Sequence, residues 1–365
     1  MTDESYMQRA LELARLGLGR TSPNPAVGAV VVSRGEVVGE GYHQKAGTPH
    51  AEIHALQAAG SRAKGATLYV TLEPCCHFGR TPPCTKAIIA AGIRRVVAAM
   101  PDPNPRVSGK GLAELREAGL EVEVGVLAQE AQELNEAFIK YITSGRPWVT
   151  MKMAVSLDGK IATFTGASRW ITGPESRLKA HQMRDTHDVV LVGIGTVLAD
   201  DPLLTTRLPG GRGRDAARVI LDSRLRIPLE ARVVRLASPA PTLVATTAAA
   251  PPEKLAILQG KGVEVLILPS EEGRVSWPAL LEALAARGWT SILIEGGAEV
   301  NASALAAGVV DKVVAFIAPK IIGGRSAPGA VGGEGAALPD CAWQLERIKL
   351  DRCGDDIMLT GYLRK

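Results

Sequence analysis

The chemistry and fold of the first half of the chain are indicated by two short stretches, Thr48–Glu52 (TPHAE) and Pro74–Cys76 (PCC), and by Cys84. Within them His50, Cys75 and Cys84 supply one imidazole and two thiols. Catalytic zinc sites commonly have three such protein ligands and keep a fourth position for water, whose pKa the metal lowers toward neutrality. The stretches therefore predict a catalytic zinc site.

Glu52 lies two residues after the predicted histidine ligand, where its carboxylate can move a proton. The pattern His-x-Glu with Pro-Cys-x-x-Cys is typical of zinc-dependent nucleobase deaminases. In this chain eight residues, instead of two, separate Cys75 from Cys84. We predict hydrolytic deamination with Glu52 as the catalytic proton shuttle, and the longer spacing needs its own explanation.

A structural zinc site is the alternative, because such a site fills all four positions with protein ligands. Cys76 and His77 are the nearby candidates for a fourth ligand. Neighbouring residues on an extended segment point to opposite sides, so ligation by Cys75 and Cys84 is favoured over ligation by Cys75 and Cys76. If protein ligands did fill all four positions, the chain would be a zinc-stabilised interaction module, and this stays the alternative to an enzyme.

Length and composition describe a globular chain with two domains of ordinary size. The 365 residues exceed one typical domain, and 46% are hydrophobic and 22% charged, without an apolar run long enough to cross a membrane. The chain begins with acidic and polar residues that do not form a secretory signal. Three of the five cysteines fall between positions 75 and 84, which suits a metal site in a reducing compartment. We expect a cytoplasmic protein with no membrane partner.

The distribution of charge bears on the substrate. Residues 1–145 carry 15 Lys+Arg and 15 Asp+Glu, whereas residues 146–365 carry a net charge of +4. A deaminase that acts on tRNA or DNA needs a basic surface to neutralise phosphates. The balanced first half favours a small free substrate and no nucleic acid partner. A tRNA or nucleoside deaminase with an unrelated second domain is the rival enzyme.

The order of helices and strands predicts two α/β domains, residues 1–145 and 146–365, separated by a turn at Ser144–Pro147. The first domain opens with a helix and a β-hairpin, and helices then alternate with strands, so we expect a sheet between layers of helices. Its last helix, near residues 128–141, is expected to lead outward. In the second domain, Gly193–Thr196 is expected to be a flexible loop that follows a strand.

The first half resembles the deaminase domain of the bifunctional deaminase/reductases of riboflavin biosynthesis. The resemblance rests on Thr21–Gly28, Gly41–His43, Thr48–Glu52 and Glu73–Cys84. The long cysteine spacing belongs to that family, in which residues 77–83 would form a substrate-facing loop. The resemblance implies a cytidine-deaminase-like α/β/α sandwich with His50, Cys75 and Cys84 as zinc ligands. It also implies substrate contacts from Asn24, His43, His77 and Arg80.

The second half resembles the reductase domain of the same family, an α/β domain similar to dihydrofolate reductase that uses NADPH as hydride donor. The segments that carry the resemblance are Met151–Ala162, Ser168–Gly173, Gly193–Pro202 and Ile294–Gly297. They contain no Rossmann fingerprint, because the third glycine of that motif is absent. The turn before Ala298 leads into a predicted helix whose first amide groups can hold a phosphate.

The resemblance implies the site residues of the second domain. Contacts to the reductase substrate would come from Lys152, Ser168, Arg184, Leu204, Arg207 and Glu295. Contacts to NADPH would come from Ala154, Trp170, Thr172, Thr196, Asp200, Ser223, Gly297, Ala298, Glu299, Val300, Asn301, Ala302 and Ser303. The two arginines suit a phosphorylated substrate, because guanidinium groups can bind phosphate in a bidentate manner.

The resemblance also implies the reactions and partners. Zn2+ would support deamination of 2,5-diamino-6-(5-phosphoribosylamino)pyrimidin-4-one, a small phosphorylated pyrimidine. NADPH would then reduce the ribosyl side chain to ribityl. A homo-oligomer, either a dimer or a tetramer, is expected by analogy with the family.

Overall fold

The structure of the chain is a computed structural model, which describes residues 2–78, 82–105, 107–211 and 213–364. The chain divides into two compact units, Met1–Arg146 and Pro147–Lys365. Within the described ranges, no helix combines the length and the apolar character that a membrane span requires. Both units contain a mixed sheet with helices, so the predicted two-domain α/β architecture is confirmed.

The first unit contains one five-stranded sheet in the order β2-β1-β3-β4-β5. Its strands are β1 (Gly28–Ser33), β2 (Glu36–Tyr42), β3 (Thr67–Val70), β4 (Arg95–Ala98) and β5 (Glu121–Val124). Its helices are α1 (Asp3–Arg15), α2 (Ala51–Ala59), α3 (Cys84–Ala90), α4 (Lys110–Glu117), α5 (Ala128–Leu134) and α6 (Glu136–Ser144).

The direction of the strands in this sheet positions the loops of the first unit. β1 is antiparallel to β2 and to β3, whereas β3, β4 and β5 are mutually parallel. The β-branched run Val30–Val32 is buried and forms the centre of the core with apolar residues of the surrounding helices. The segments that follow β3 and β4 therefore leave the same edge of the sheet, where ligands of open α/β sheets usually bind.

The end of the first unit differs from the prediction of one helix that leads outward. The chain forms two helices, α5 and α6, which meet at the buried Asn135. The Asn135 side chain accepts a hydrogen bond from the Ala26 backbone N–H at 2.9 Å and donates one to the Ala26 carbonyl at 3.0 Å. Phe138 of α6 is buried in the core. The prediction of an outward helix was wrong, because the Asn135 amide and the apolar face of α6 hold the segment against the domain.

The second unit is built on a nine-stranded sheet in the order β10-β9-β8-β7-β13-β6-β14-β16-β15, with a separate pair β11-β12. Its strands are β6 (Trp148–Ser156), β7 (Val189–Gly193), β8 (Ala217–Leu221), β9 (Thr242–Thr246), β10 (Glu264–Ile267), β11 (Ser270–Glu271), β12 (Arg274–Val275), β13 (Ser291–Ile294), β14 (Lys312–Ala318), β15 (Leu345–Cys353) and β16 (Asp356–Leu363). Its helices are α7 (Pro174–Thr186), α8 (Ile194–Asp200), α9 (Arg232–Arg235), α10 (Pro252–Gly260), α11 (Trp277–Ala285) and α12 (Ala298–Ala306).

The strands from β10 to β14 in this order are parallel, and the closing strands β16 and β15 are antiparallel. The prediction of a flexible loop at Gly193–Thr196 was wrong, because α8 begins at Ile194. A side chain on Gly193 would overlap Val300, so this glycine lets α12 pack closely against the end of β7. The glycine-rich sequence thus reflects close packing at a helix start.

We predict that Gly28→Ala destabilises the first unit. A methyl group on Gly28 would overlap the backbone of α1 and would lie 2.7 Å from the Ala14 nitrogen. Overpacking of this kind typically costs about 1–3 kcal/mol. Hydrogen exchange of the β1 amides should give a free energy of unfolding that is lower by this amount. Gly260→Ala, where an added methyl group meets open space, is the matched control. Unchanged exchange in the Gly28 variant would contradict the packing of α1 described here.

Candidate active sites

Three side chains from separate elements converge in the first unit. The Nδ1 atom of His50 lies 3.5 Å from the Sγ atom of Cys75 and 3.3 Å from that of Cys84. The three atoms all lie within 4.8 Å of one another. His50 directly precedes α2, Cys84 begins α3, and Cys75 lies in the segment after β3. Two helix starts and one strand end thus bring the predicted metal ligands together.

The separations of these atoms fit a metal ion. In a tetrahedral zinc site with bonds of about 2.0–2.3 Å, neighbouring nitrogen and sulfur ligands lie about 3.5 Å apart. An imidazole and two thiolates are donors that zinc prefers. Among the described residues, Cys76 is not part of this cluster. The donor set therefore fits zinc with three protein ligands and a fourth position open.

The local electrostatics favour the thiolate form of Cys75. Its sulfur accepts a hydrogen bond from the backbone N–H of Cys84 at 3.4 Å. Hydrogen bonds from the Cys84 thiol and from His50 lower the pKa of Cys75, and the same contact raises the pKa of Cys84. The proton of this pair therefore lies on Cys84, and Cys75 is the thiolate, which is the form that binds metal. Burial raises the pKa of Cys76.

Glu52 lies in the first turn of α2 and lines the same cavity as His50 and Cys75. Its side chain is buried, with a relative exposure of 3%, and this burial raises its pKa. A buried carboxyl group whose pKa is raised is suited to accept and return a proton near neutral pH. The position of Glu52 is therefore compatible with its predicted role.

The cavity beside the ligand cluster has a volume of about 360 Å³. Asn24 and His43, both predicted to contact substrate, lie on its wall and are linked, since the Nδ2 atom of Asn24 is 3.2 Å from the Nε2 atom of His43. The other ring nitrogen of His43 lies 3.2 Å from the Pro49 carbonyl. His43 is buried, and burial lowers its pKa. These contacts fix a polar wall whose amide and imidazole can bind a heterocycle.

Two further predicted contacts belong to the segment between the two cysteine ligands. His77 is exposed and lines the cavity. Arg80 lies outside the described residues. The structure thus brings Asn24, His43 and His77 to one cavity with the ligand cluster.

Several further residues of this cavity were not predicted from the sequence. Glu73 is buried after β3 and accepts hydrogen bonds from the backbone N–H groups of Asp102 and Gly111, at 3.0 and 2.9 Å. Asp102 also lines the cavity, and burial raises its pKa to about 6. Asn104, Tyr141 and Ile142 complete this part of the wall. The positions of Glu73 and Asp102 after the parallel strands β3 and β4 are the sequence signal that would have pointed to them.

The second unit has its own cavity, of about 500 Å³, at the ends of β7 and β13. It brings together all six residues predicted to contact the reductase substrate: Lys152, Ser168, Arg184, Leu204, Arg207 and Glu295. It is also lined by seven of the residues predicted to contact NADPH: Ala154, Trp170, Thr172, Thr196, Asp200, Gly297 and Asn301. The other six residues predicted to contact NADPH, all of them described by the structure, do not line this cavity: Ser223, Ala298, Glu299, Val300, Ala302 and Ser303.

A buried ion cluster forms the floor of this cavity. Arg184 donates to both carboxylate oxygens of Glu295, at 2.6 and 2.8 Å, and the ammonium group of Lys152 lies 3.8 Å from the same carboxylate. Burial alone would raise the pKa of Glu295, but the charges of Arg184 and Lys152 lower it to about 2. The carboxylate therefore stays ionised and fixed in orientation.

Arg207 is held differently from Arg184. Besides its two bonds to Glu295, Arg184 donates to the Thr205 carbonyl at 2.8 Å, so three of its five N–H donors are used within the protein. Arg207 is exposed, and its guanidinium donates to the Thr205 hydroxyl at 3.0 Å. Arg207 is thus the more exposed arginine of this pair, with more of its donors available to a ligand.

The part of the cavity next to α12 suits a dinucleotide. The side chain of Asn301 is buried and donates to the Ala330 carbonyl at 2.8 Å, whereas its Oδ1 atom has no hydrogen-bond partner among the described residues. Gly297 lets a ligand approach the backbone closely, with the Thr196 hydroxyl nearby. A buried acceptor without a partner is costly, so an N–H donor of a bound cofactor would complete this wall.

A further cavity, of about 630 Å³, shares Lys152, Arg184, Arg207 and Glu295 with the one just described and is also lined by His181. His181 was not among the residues predicted from the sequence. It lies on α7 three residues before Arg184, so the i, i+3 spacing is the signal that could have found it.

Comparison with known families agrees with both sites. Residues 1–100 match the family described as the cytidine and deoxycytidylate deaminase zinc-binding region, and residues 147–359 match the RibD C-terminal domain. The predicted cofactors Zn2+ and NADPH are consistent with these matches and with the observed donor sets.

Curated relatives match nearly the whole chain. The chain is 48% identical over 359 residues to riboflavin biosynthesis protein RibD of Bacillus amyloliquefaciens, which covers 98% of this chain and 96% of the relative. It is 49% identical over 358 residues to RibD of Aquifex aeolicus (strain VF5), which covers 98% and 97%.

Solved structures lead to the same assignment. RibD of Acinetobacter baumannii (form 1) superposes with a TM-score of 0.87 at 38% identity and covers 100% of this chain and 99% of that one. A diaminohydroxyphosphoribosylaminopyrimidine deaminase/5-amino-6-(5-phosphoribosylamino)uracil reductase of Thermotoga maritima superposes with a TM-score of 0.84 at 39% identity and covers 99% of both chains. The chain therefore belongs to the RibD family of riboflavin-biosynthesis proteins, which combine a deaminase with a reductase.

Proposed function

We propose that the first unit deaminates 2,5-diamino-6-(5-phosphoribosylamino)pyrimidin-4-one and that the second unit reduces the ribosyl chain of the product to ribityl with NADPH. The observation that carries this proposal is the cavity in which Glu52 lies beside the cluster of His50, Cys75 and Cys84. The RibD relatives, which align along nearly the whole chain, support the same pair of activities.

In the deaminase step a ring carbon gains oxygen from water and loses its amino group as ammonia. Zinc, held by His50, Cys75 and Cys84, would supply a water molecule acidified toward neutrality. Glu52 takes a proton from the water and returns it to the leaving amino group, a role that its buried position supports. Asn24 and His43 would hold the pyrimidine, and His77 and Arg80 would contact the ribose or phosphate.

In the reductase step NADPH, when bound, would supply a hydride to the ribosyl carbon that is bonded to nitrogen. The bond from that carbon to the ring oxygen breaks, and this oxygen takes up a proton from solvent to become a hydroxyl group of the ribityl chain. Lys152 would donate a hydrogen bond to the substrate from the floor of the cavity. Glu295, fixed by Arg184, would accept hydrogen bonds from sugar hydroxyl groups. Arg207 would bind the phosphate, because its guanidinium is exposed.

The residues predicted to bind NADPH divide into two groups. Those on the cavity wall, such as Thr196, Gly297 and Asn301, would contact the cofactor directly. Five others belong to α12 but do not line the cavity, and they would support the first turns of that helix. Ser223 belongs to neither group. A dimer or tetramer, a cytoplasmic location and the absence of a nucleic acid partner stay predictions, and light scattering of the purified protein would measure the first of them.

We predict that Cys75→Ser abolishes stoichiometric zinc binding and that Cys76→Ser does not. The reason is that, of these two cysteines, Cys75 belongs to the cluster of donor atoms found among the described residues and Cys76 does not. Elemental analysis of each purified variant should give about one zinc per chain for the wild type and for the Cys76 variant. Equal zinc loss in both variants would contradict the assignment and would favour a structural site with four protein ligands.

We predict that Glu52→Gln lowers ammonia release by a factor of about 10²–10⁴, the usual contribution of a general acid–base group. The amide keeps the size of the side chain but cannot take up the proton. Zinc content should be unchanged, and so should NADPH oxidation with the deaminated product supplied directly.

Glu36→Gln is the matched control, because Glu36 is an exposed carboxylate at the start of β2. It should leave both activities at the level of the wild type. Ammonia release that persists undiminished in the Glu52 variant would refute the proton-transfer role. A parallel loss of NADPH oxidation would instead indicate a general folding defect.

A further inference from the structure

Two side chains of α7 fix the backbone of the segment that presents Arg207. Arg184 donates to the Thr205 carbonyl at 2.8 Å. His181 accepts the backbone N–H of Arg207 on its Nδ1 atom at 3.2 Å. Because these contacts act on consecutive parts of one segment, the position of the Arg207 guanidinium depends on the face of α7 that carries both side chains.

The other side of the same segment is also anchored. The backbone N–H of Thr206 donates to Asp215 at 2.7 Å. Leu204 is buried and adopts a positive φ of 54°, which turns the chain just before the segment. The segment is therefore held on both sides, and His181 is the residue that contacts the backbone of Arg207 itself.

The bond between His181 and Arg207 requires a neutral imidazole, because Nδ1 must offer a lone pair to the backbone N–H. Burial, with the positive charges of Arg184 and Arg207, lowers the pKa of His181 to about 4. The ring therefore keeps its acceptor near neutral pH, and its hydrogen is on Nε2. A neutral acceptor beside two arginines also avoids the repulsion that a third cation would add.

We propose that His181 is a positioning residue of the reductase site, which holds the backbone of Arg207 so that its guanidinium meets the phosphate of the substrate. This inference rests on the proposed function, in which Arg207 binds that phosphate. His181 thereby sets the affinity for the phosphorylated substrate and leaves the rate of hydride transfer largely unaffected. The cavity wall that it shares with Lys152 and Arg207 places it beside the anion.

The test compares two substitutions of His181. Leucine removes the acceptor, and His181→Leu should raise the KM for the deaminated phosphoribosyl substrate about tenfold, with kcat and the KM for NADPH changed less than about twofold. Asparagine places an oxygen acceptor near the position of Nδ1, so His181→Asn should keep KM within about threefold of the wild type. Gln182→Leu, at an exposed position of the same helix, is the matched control and should change neither constant.

A double-mutant cycle tests whether His181 acts through Arg207. Arg207→Gln alone should raise the same KM, and adding His181→Leu should then raise it little further, because the two residues serve one interaction. Inorganic phosphate as a competitive inhibitor should bind more weakly to each single variant. Fully additive effects on KM, or a His181→Asn variant as impaired as His181→Leu, would overturn the proposal.

The outcomes separate this inference from the proposed function. If the wild-type protein oxidises no NADPH with the deaminated substrate, or if Arg207→Gln leaves KM unchanged, the proposed function of the second cavity fails. If Arg207→Gln raises KM while His181→Leu does not, only the positioning role of His181 fails. A fall in kcat without a change in KM for His181→Leu would likewise reject it.

Discussion

The convergence of three donor atoms depends on how closely α2 packs against β2. A side chain on Gly41 would lie 2.5 Å from the Ala51 carbonyl oxygen and 2.6 Å from the Ala55 nitrogen, so only glycine permits this approach. The first turn of α2 is therefore fixed in height above the sheet, and His50 and Glu52 are fixed with it. Because zinc ligation tolerates only small errors in ligand distance, the metal site depends on a contact between two backbones.

The second site is organised by an ion cluster instead of a metal. Removing Glu295 and its partners from water carries a desolvation cost, which a bidentate arginine and a nearby ammonium group offset. The cluster connects the end of β13 with α7 and with the segment at Thr205. It therefore fixes the floor of this cavity through side chains of the protein itself, and the exposed Arg207 would remain to bind the phosphate of the proposed substrate.

Local patterns correctly predicted that the first unit opens with a helix and a β-hairpin and then alternates helices with strands. The same reasoning failed at Gly193–Thr196, where glycine reflects close packing against α12 and not mobility. The resemblance to a known family, more than residue spacing, selected the cavity residues of the second unit. Neither approach found Glu73, whose backbone partners are 29 or more residues away along the chain. The position of Glu73 after a parallel strand was a usable signal, but its hydrogen bonds are tertiary contacts that no local pattern reports.

The two sites differ in what compensates their charges, and this difference has a consequence for the protein without its cofactors. In the first unit Glu52 and Cys75 line one cavity and interact electrostatically, and a divalent cation bound there would be a counter-charge for both. Without that cation the cluster would have to hold protons in its place. In the second unit the charge of Glu295 is balanced by side chains of the chain itself, so loss of a dinucleotide exposes a cavity without unpairing an ion. We therefore expect metal binding to stabilise the first site, and NADPH to bind to a site whose charges the chain already compensates.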